Sequence, residues 1–318
     1  MRRGAAVAAF GVLLAITLAA GFVLAGWPGG PEAPGGPGAP GGPGAPGGPG
    51  APGPRGVAAV PVPGFPSGMS LLVSAEDAGQ LAAVAPGLAR RIIGGQATLV
   101  LGPPPATAGQ AAEPAAPPGR ASLGAVYTSY ATFRRDLASR QIPAGVKAVS
   151  YDPELWPATP AREQVNPIGY MRLFARAARH AGYTVILVPG RDLMLVPGAR
   201  CGQRPHETID AAFLRCGLPA AAARLAPVFE VQVAPEEMQP ARAAAFAEAC
   251  ARQARAAGPH VAVLATLSTV PLGHRVTGGQ LARAAAAIRP FVQGFQLNLT
   301  RASIRPALTL LRRLHRFG

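Results

Sequence analysis

Eight short apolar runs follow Pro66, near 70–74, 97–101, 122–127, 147–152, 184–188, 228–233, 261–267 and 294–299. A run that is apolar throughout reads as a strand covered on both faces, and strands alternating with helical stretches are the signature of a parallel sheet. Eight such units suffice to close a barrel. The expected fold is therefore α/β, a single-domain (β/α)8 TIM-like barrel over 65–318. An open doubly wound sheet is the alternative, and the count of eight favours closure. The weak place is 103–120, where no convincing helix can be drawn between the second and third runs. Elsewhere helices fit 166–181, 207–225, 239–257, 277–292 and 303–315. The first of these carries Asn166 as N-cap, Pro167 at the first helical position and Gly182 past the end.

What precedes the barrel divides in two. Residues 1–27 begin with Arg2 and Arg3 and run apolar from Gly4 to about Ala25. That is longer than a usual signal core and near the length of a membrane span. The segment is expected to be a signal peptide or an uncleaved membrane anchor, placing the rest outside the cytoplasm, secreted or held on the outer face of the cytoplasmic membrane. Residues 28–64 form a Gly/Pro-rich linker with Gly at 35, 38, 41, 44, 47, 50 and 53. The collagen-type period is short for an independent triple helix and reads as an extended spacer.

The formal charge of +15 raises the question of a nucleic-acid partner. The cations are nearly all arginine, scattered over expected helices without interleaved aromatics, so none is expected. One basic cluster, Arg312, Arg313, His315 and Arg316, ends the chain. The membrane partner is expected only through 1–27, and the domain is expected to be a monomer. In an exported chain cysteines oxidise. Of the three pairings open to Cys201, Cys216 and Cys250, the bridge 201–216 is expected, with Cys250 left on a helix. His206, His260 and His274 are too dispersed to suggest a metal, and no phosphate loop, G-x-S-x-G or H-E-x-x-H is present. No metal or cofactor is expected.

Chemistry is suggested by polar pairs spaced i, i+2, which share one face of a strand. They are Ser150, Asp152 and Glu154 after the fourth run, Glu230 and Gln232 on the sixth, Thr266 and Ser268 on the seventh, and Gln296 and Asn298 on the eighth. Phe229, Phe295 and Leu297 fall on the opposite face, toward the helices. Sites in such barrels lie at the C-terminal ends of the strands. A sealed apolar barrel has no use for these groups, since each buried polar atom needs a partner. The expectation is a wet mouth that takes a glycan or cell-wall polymer. Asp152, Glu154 and Glu230 would serve as acid, base or orienting carboxylates, and the hydroxyls and amides would serve as binding groups. Tyr127 and Trp156 are candidate stacking faces for a sugar ring. Arg191 either pairs with Asp192 at the rim or holds an anionic substrate group.

The stretches YDPELWPATPAREQ (151–164), VFEVQ (228–232), LATLST (264–269) and GFQLNL (294–299) resemble a family of secreted barrel proteins from GC-rich bacteria, a likeness covering most of 66–318 and implying fold and export. More distantly, Asp152 and Glu154 resemble the last two acids of the D-x-x-D-x-D-x-E strand end of chitinase-type glycoside hydrolases, with Lys147 and Ser150 where the other two acids stand. That resemblance implies Glu154 as the acid and Asp152 as its orienting partner. Two further classes stay open: a barrel that binds glycan without cleaving it, and an envelope-structure protein in which the repeat segment does the work.

Overall fold

The computed structural model describes residues 70–93, 98–103 and 121–314. The expected leader, linker, most of 103–120 and the last part of the basic tail lie outside them. Eight parallel strands close into one barrel in sequence order: β1 Ser70–Ser74, β2 Thr98–Gly102, β3 Ser122–Tyr127, β4 Val146–Tyr151, β5 Thr184–Leu187, β6 Val228–Gln232, β7 Ala262–Ser268 and β8 Gly294–Asn298. All eight coincide with the apolar runs. Helices α1 Ala75–Val84, α2 Pro86–Ile92, α3 Tyr130–Ala138, α4 Ala161–Gln164, α5 Pro167–His180, α6 Ile209–Arg215, α7 Leu218–Leu225, α8 Pro240–Ala257, α9 Gly278–Ile288 and α10 Ile304–Leu314 surround it. Among the described residues no helix is long and apolar enough to cross a membrane.

The helix over 167–180 begins and ends where local chemistry dictates. The Asn166 side chain accepts from the Gly169 amide at 3.3 Å, Pro167 needs no donor in the first turn, and Gly182 leaves at φ +85°. The expected helix over 207–225 is instead two, α6 and α7. Gly217 sits between them at φ +69°, and Pro219 opens the second helix. The disulfide Cys201–Cys216, with Cα atoms 5.8 Å apart, fastens this break to the excursion that follows β5. Cys250 is free and fully buried on α8.

Strand alternation sorts the core into two compartments. Outward residues such as Val149, Tyr151, Phe229, Val263, Phe295 and Leu297 pack under the helices. Inward residues low in the barrel, among them Leu72, Leu99, Ile186, Val228 and Leu264, form a separate apolar plug. Further along the same strands the inward positions turn polar. Close approach is decisive at the seam between β8 and β1, where a Cβ on Gly294 would stand 2.2 Å from the Ser70 carbonyl oxygen. The β5–β6 seam is the thinnest, with only Ile186 against Val228 and Leu187 against Phe229 in register.

Candidate active site

The segment leaving β4 is fixed before any side chain reaches the mouth. The Asp152 amide donates to the Tyr127 carbonyl and the Gly190 amide to the Pro153 carbonyl, each at 2.9 Å, which prolongs the ladder past the strand. The Glu154 amide donates to the Thr159 hydroxyl at 3.1 Å, and that hydroxyl donates to the Thr128 carbonyl at 3.0 Å. The Leu155 amide donates to Asp192 at 3.0 Å, and the Gln164 amide holds the Trp156 and Thr159 carbonyls at 2.9 and 2.8 Å. Backbone on both sides of Glu154 is thus held by side chains, the preorganisation a reacting group requires. Gly190 makes room for it: a Cβ there would lie 2.5 Å from Asp192 Oδ1 and 2.9 Å from Glu154 Cγ.

One amide joins the two leading acids. Gln232 Nε2 donates to Asp152 Oδ1 at 3.1 Å and also to Glu154 Oε1, reaching from β6 across β5. Below them Glu230 is fully buried and accepts from the Thr266 hydroxyl. With the Gln296 amide oriented by its neighbours, its nitrogen lies 3.2 and 3.0 Å from the two Glu230 oxygens and its oxygen 3.1 Å from the Asn298 side chain. Ser150 is buried beneath Asp152, while the Ser268 hydroxyl accepts from the Val270 amide at 3.1 Å. Expected residues on β4, β6, β7 and β8 therefore converge at the C-terminal mouth.

Burial sets the electrostatics. Asp152 and Glu154 keep a little solvent contact, yet protein fills most of the space around them. Desolvation, then the neighbouring charges of Glu154, Glu230 and Asp192, raises the Asp152 carboxyl well above the ordinary range, and the Gln232 hydrogen bond opposes this. Desolvation followed by the Asp192 charge pushes Glu154 up to about 7, again against Gln232. Glu230 is pushed up to about 7 by burial, with Thr266 opposing. Near neutral pH this cluster holds protons that exposed carboxyls would have released.

Two expected binding residues are committed to other partners. Tyr127 is fully buried on the outer face of β3, its ring 5.1 Å from that of Phe133 and packed toward Phe174, so it offers no face to a sugar. Arg191 makes no ion pair with Asp192, although its charge acts on that carboxyl. It is buried in an ion-paired nest with Asp210 and with Glu236 at 2.9 Å, and its guanidinium stands 5.0 Å from the Phe246 ring centroid. Its charge is thereby committed to joining the post-β5 excursion to α8. Trp156 remains at the mouth, half-buried, with a buried indole nitrogen that has no partner among the described residues.

Among the buried acids not singled out in the sequence, Glu237 and Glu163 have the most telling partners. Glu237, just past β6, is fully buried, accepts from the Ser268 amide, and is raised to about 9 by desolvation. Glu163 is a buried hub that accepts from Tyr130 N at 2.7 Å, Ala131 N at 3.2 Å and Tyr151 Oη at 2.8 Å, binding α4 to the start of α3. The place of Glu237 in the loop that follows β6 was the available signal. The partners of Glu163 gave none. Among the described residues no group of three or more His, Cys, Asp or Glu is placed to hold a metal ion. A groove of about 430 Å3 is lined by Met194 to Ala199 with Gly202 and Gln203, on the same excursion as Asp192, and none of the acids lines it. It is open and belongs to the backbone of that excursion, so the carboxylate cluster is the better candidate for chemistry.

No family model matches the chain, and no curated protein does. Among solved structures, a Bacteroides thetaiotaomicron protein provisionally described as an alpha-L-fucosidase is similar at 11% identity with a TM-score of 0.38. The match covers 59% of this chain and 60% of that one, and nothing of that protein's chemistry is carried over.

Proposed function

We propose that this barrel, in an oxidising compartment outside the cytoplasm, cleaves a glycosidic bond in a glycan or cell-wall polymer, with Glu154 as general acid. The observation that carries the reading is the pairing of Glu154 with Asp152 through the single Gln232 amide, at the C-terminal mouth, with the Glu154 carboxyl raised to about 7. A carboxyl poised there is protonated enough to deliver a proton to a leaving oxygen and acidic enough to do so readily. Two oxygens bonded to one nitrogen do not stand on opposite sides of a sugar ring. Asp152 is therefore assigned as the orienting partner, tied to Glu154 through the shared amide, rather than as an opposing base, and the charge that helps hold the proton on Glu154 is that of Asp192. Glu230, fully buried, acts from beneath through Thr266 and Gln296 and fixes the floor.

Gln232, Gln296 and Asn298 also suit a barrel that binds glycan without cleaving it, and the same experiment separates the two. Purified protein is incubated with polysaccharides and cell-wall glycans beside Glu154→Gln and Glu230→Gln. Cleavage that falls at least about a hundredfold in Glu154→Gln, with an alkaline limb near pH 7, supports catalysis. Binding without cleavage, or full rate in both variants, removes it.

A further inference from the structure

In a closed parallel barrel each helix must return the chain to the starting edge, so helix C-termini gather on the face opposite the mouth. The scattered arginines of the sequence therefore acquire an address. Arg90 and Arg91 close α2, Arg224 closes α7, and Arg312 and Arg313 close α10, all of them exposed. Arg140, in the turn after α3, and Lys147, near the start of β4, join them. The acids are distributed in the opposite way. Apart from Asp136, which pairs with Arg135 at 3.1 Å, Glu248 within α8 and Glu230 midway along β6, every acidic residue among those described lies at or beyond the C-terminal ends of the strands. The exposed underside thus carries cations without carboxylates, whereas above the strands the acids are mostly buried or half-buried and share the rim with exposed arginines such as Arg162, Arg200, Arg204 and Arg275.

Helix macrodipoles favour a cation in each last turn. They account for neither Arg140 nor Lys147, which stand outside the helices, and they do not clear carboxylates from the helix bodies. A second observation bears on what the face meets. The chain enters the described domain at Ser70, the lower edge of β1, so the 69 preceding residues, including the apolar run from Gly4 to Ala25, attach on this same face. We propose that the underside of the barrel docks on an anionic phospholipid surface, with the carboxylate mouth turned away from it toward substrate. A face ringed by exposed arginines complements anionic headgroups, and each engaged cation strengthens partition about fivefold at moderate salt.

The test uses the full chain and vesicles of phosphatidylcholine alone or mixed with phosphatidylglycerol, read by co-sedimentation. The apolar N-terminal run is common to all forms, so the ratio of anionic to zwitterionic partition reports the domain face. The underside variant is Arg90→Gln, Arg91→Gln, Arg312→Gln and Arg313→Gln. A charge-matched control carries Arg162→Gln, Arg200→Gln, Arg204→Gln and Arg275→Gln, exposed residues beyond the C-terminal strand ends. The underside variant is expected to lose the anionic preference at least about a hundredfold, with unchanged melting, and the control to keep it. Equal loss in both variants would mean that net charge alone acts and would overturn the proposal. So would an unchanged preference in the underside variant. Binding of heparin or single-stranded DNA through the underside, with no preference for anionic vesicles, would assign the face to a soluble polyanion instead.

Discussion

Gly190→Ala tests whether the acids are held together by shape. The glycine has φ −63° and ψ 139°, a conformation alanine adopts freely, so no backbone strain is introduced. By itself that exchange would stabilise by about 0.4–1 kcal/mol through the unfolded state. The new methyl, however, would meet Asp192 Oδ1 at 2.5 Å, Glu154 Cγ at 2.9 Å and the Pro153 carbonyl at 3.0 Å, all inside ordinary contact. Two of the three neighbours are pinned, Asp192 by the Leu155 amide and Pro153 by the ladder to Gly190 itself. Overpacking of this kind costs about 1–3 kcal/mol, leaving a net loss of up to about 2.5 kcal/mol, or up to roughly 10 °C in a domain of this size. Relief comes by swinging Asp192 away from Glu154, which removes a charge that raises the Glu154 carboxyl. Its titration, followed by carboxyl carbon NMR, should move down from about 7 toward the ordinary 4.5. A variant more stable than the parent, with Glu154 still near 7, would refute the crowding argument.

Four other outcomes are expected. Replacing Cys201 and Cys216 by serine opens a loop of 15 residues and should cost about 3 kcal/mol, seen as a melting point that falls by roughly 6–12 °C and no longer responds to reductant. Gln232→Leu removes the donor that favours the ionised acids, so Asp152 and Glu154 should titrate higher and the alkaline limb of any activity should move up in pH. Glu230 and Glu237 have folded values of about 7 and about 9 against 4.5, so the native state holds the extra protons. Their contribution is complete below about pH 4.5 and is lost as pH rises through 7 and 9, and urea midpoints should fall across that window. Gly294→Ala drives a methyl into the Ser70 backbone, which cannot yield as a side chain does; a loss above about 3 kcal/mol or failure to fold is expected on chemical denaturation.

The barrel was legible because its evidence is local: each strand is a contiguous apolar run, and closure follows from their number. The caps of α5 were legible for the same reason, since Asn166, Pro167 and Gly182 act within a few residues of themselves. The polar mouth could be read because alternation along a strand fixes the face of every second residue, and Gln232 does meet Asp152 and Glu154. The same alternation, applied to β3, would have turned Tyr127 outward, since Val126 pairs with inward Ser150 and Tyr127 with outward Tyr151. What was not legible depends on distant partners. Arg191 is claimed by Asp210 and Glu236, residues that only the folding of the excursion onto α8 brings beside it. The break at Gly217 did have a local signal, Gly217 followed by Pro219, which a single helix over 207–225 passes over.

The two-rung seam between β5 and β6 gives the Gln232 bridge a mechanical role. A ring opens first at its weakest link, and here that link has two residue pairs where the neighbouring β6–β7 seam has five. Gln232 starts on one side of the link and grips Asp152 and Glu154 on the other, passing over the whole width of β5. The polar contact is thus a latch over the joint where the cylinder would unroll. A molecule seated between Glu154 and Gln232 would tighten the same latch, so occupancy of the mouth should be felt as slowed amide exchange along β5 and β6 before it is felt anywhere else in the fold.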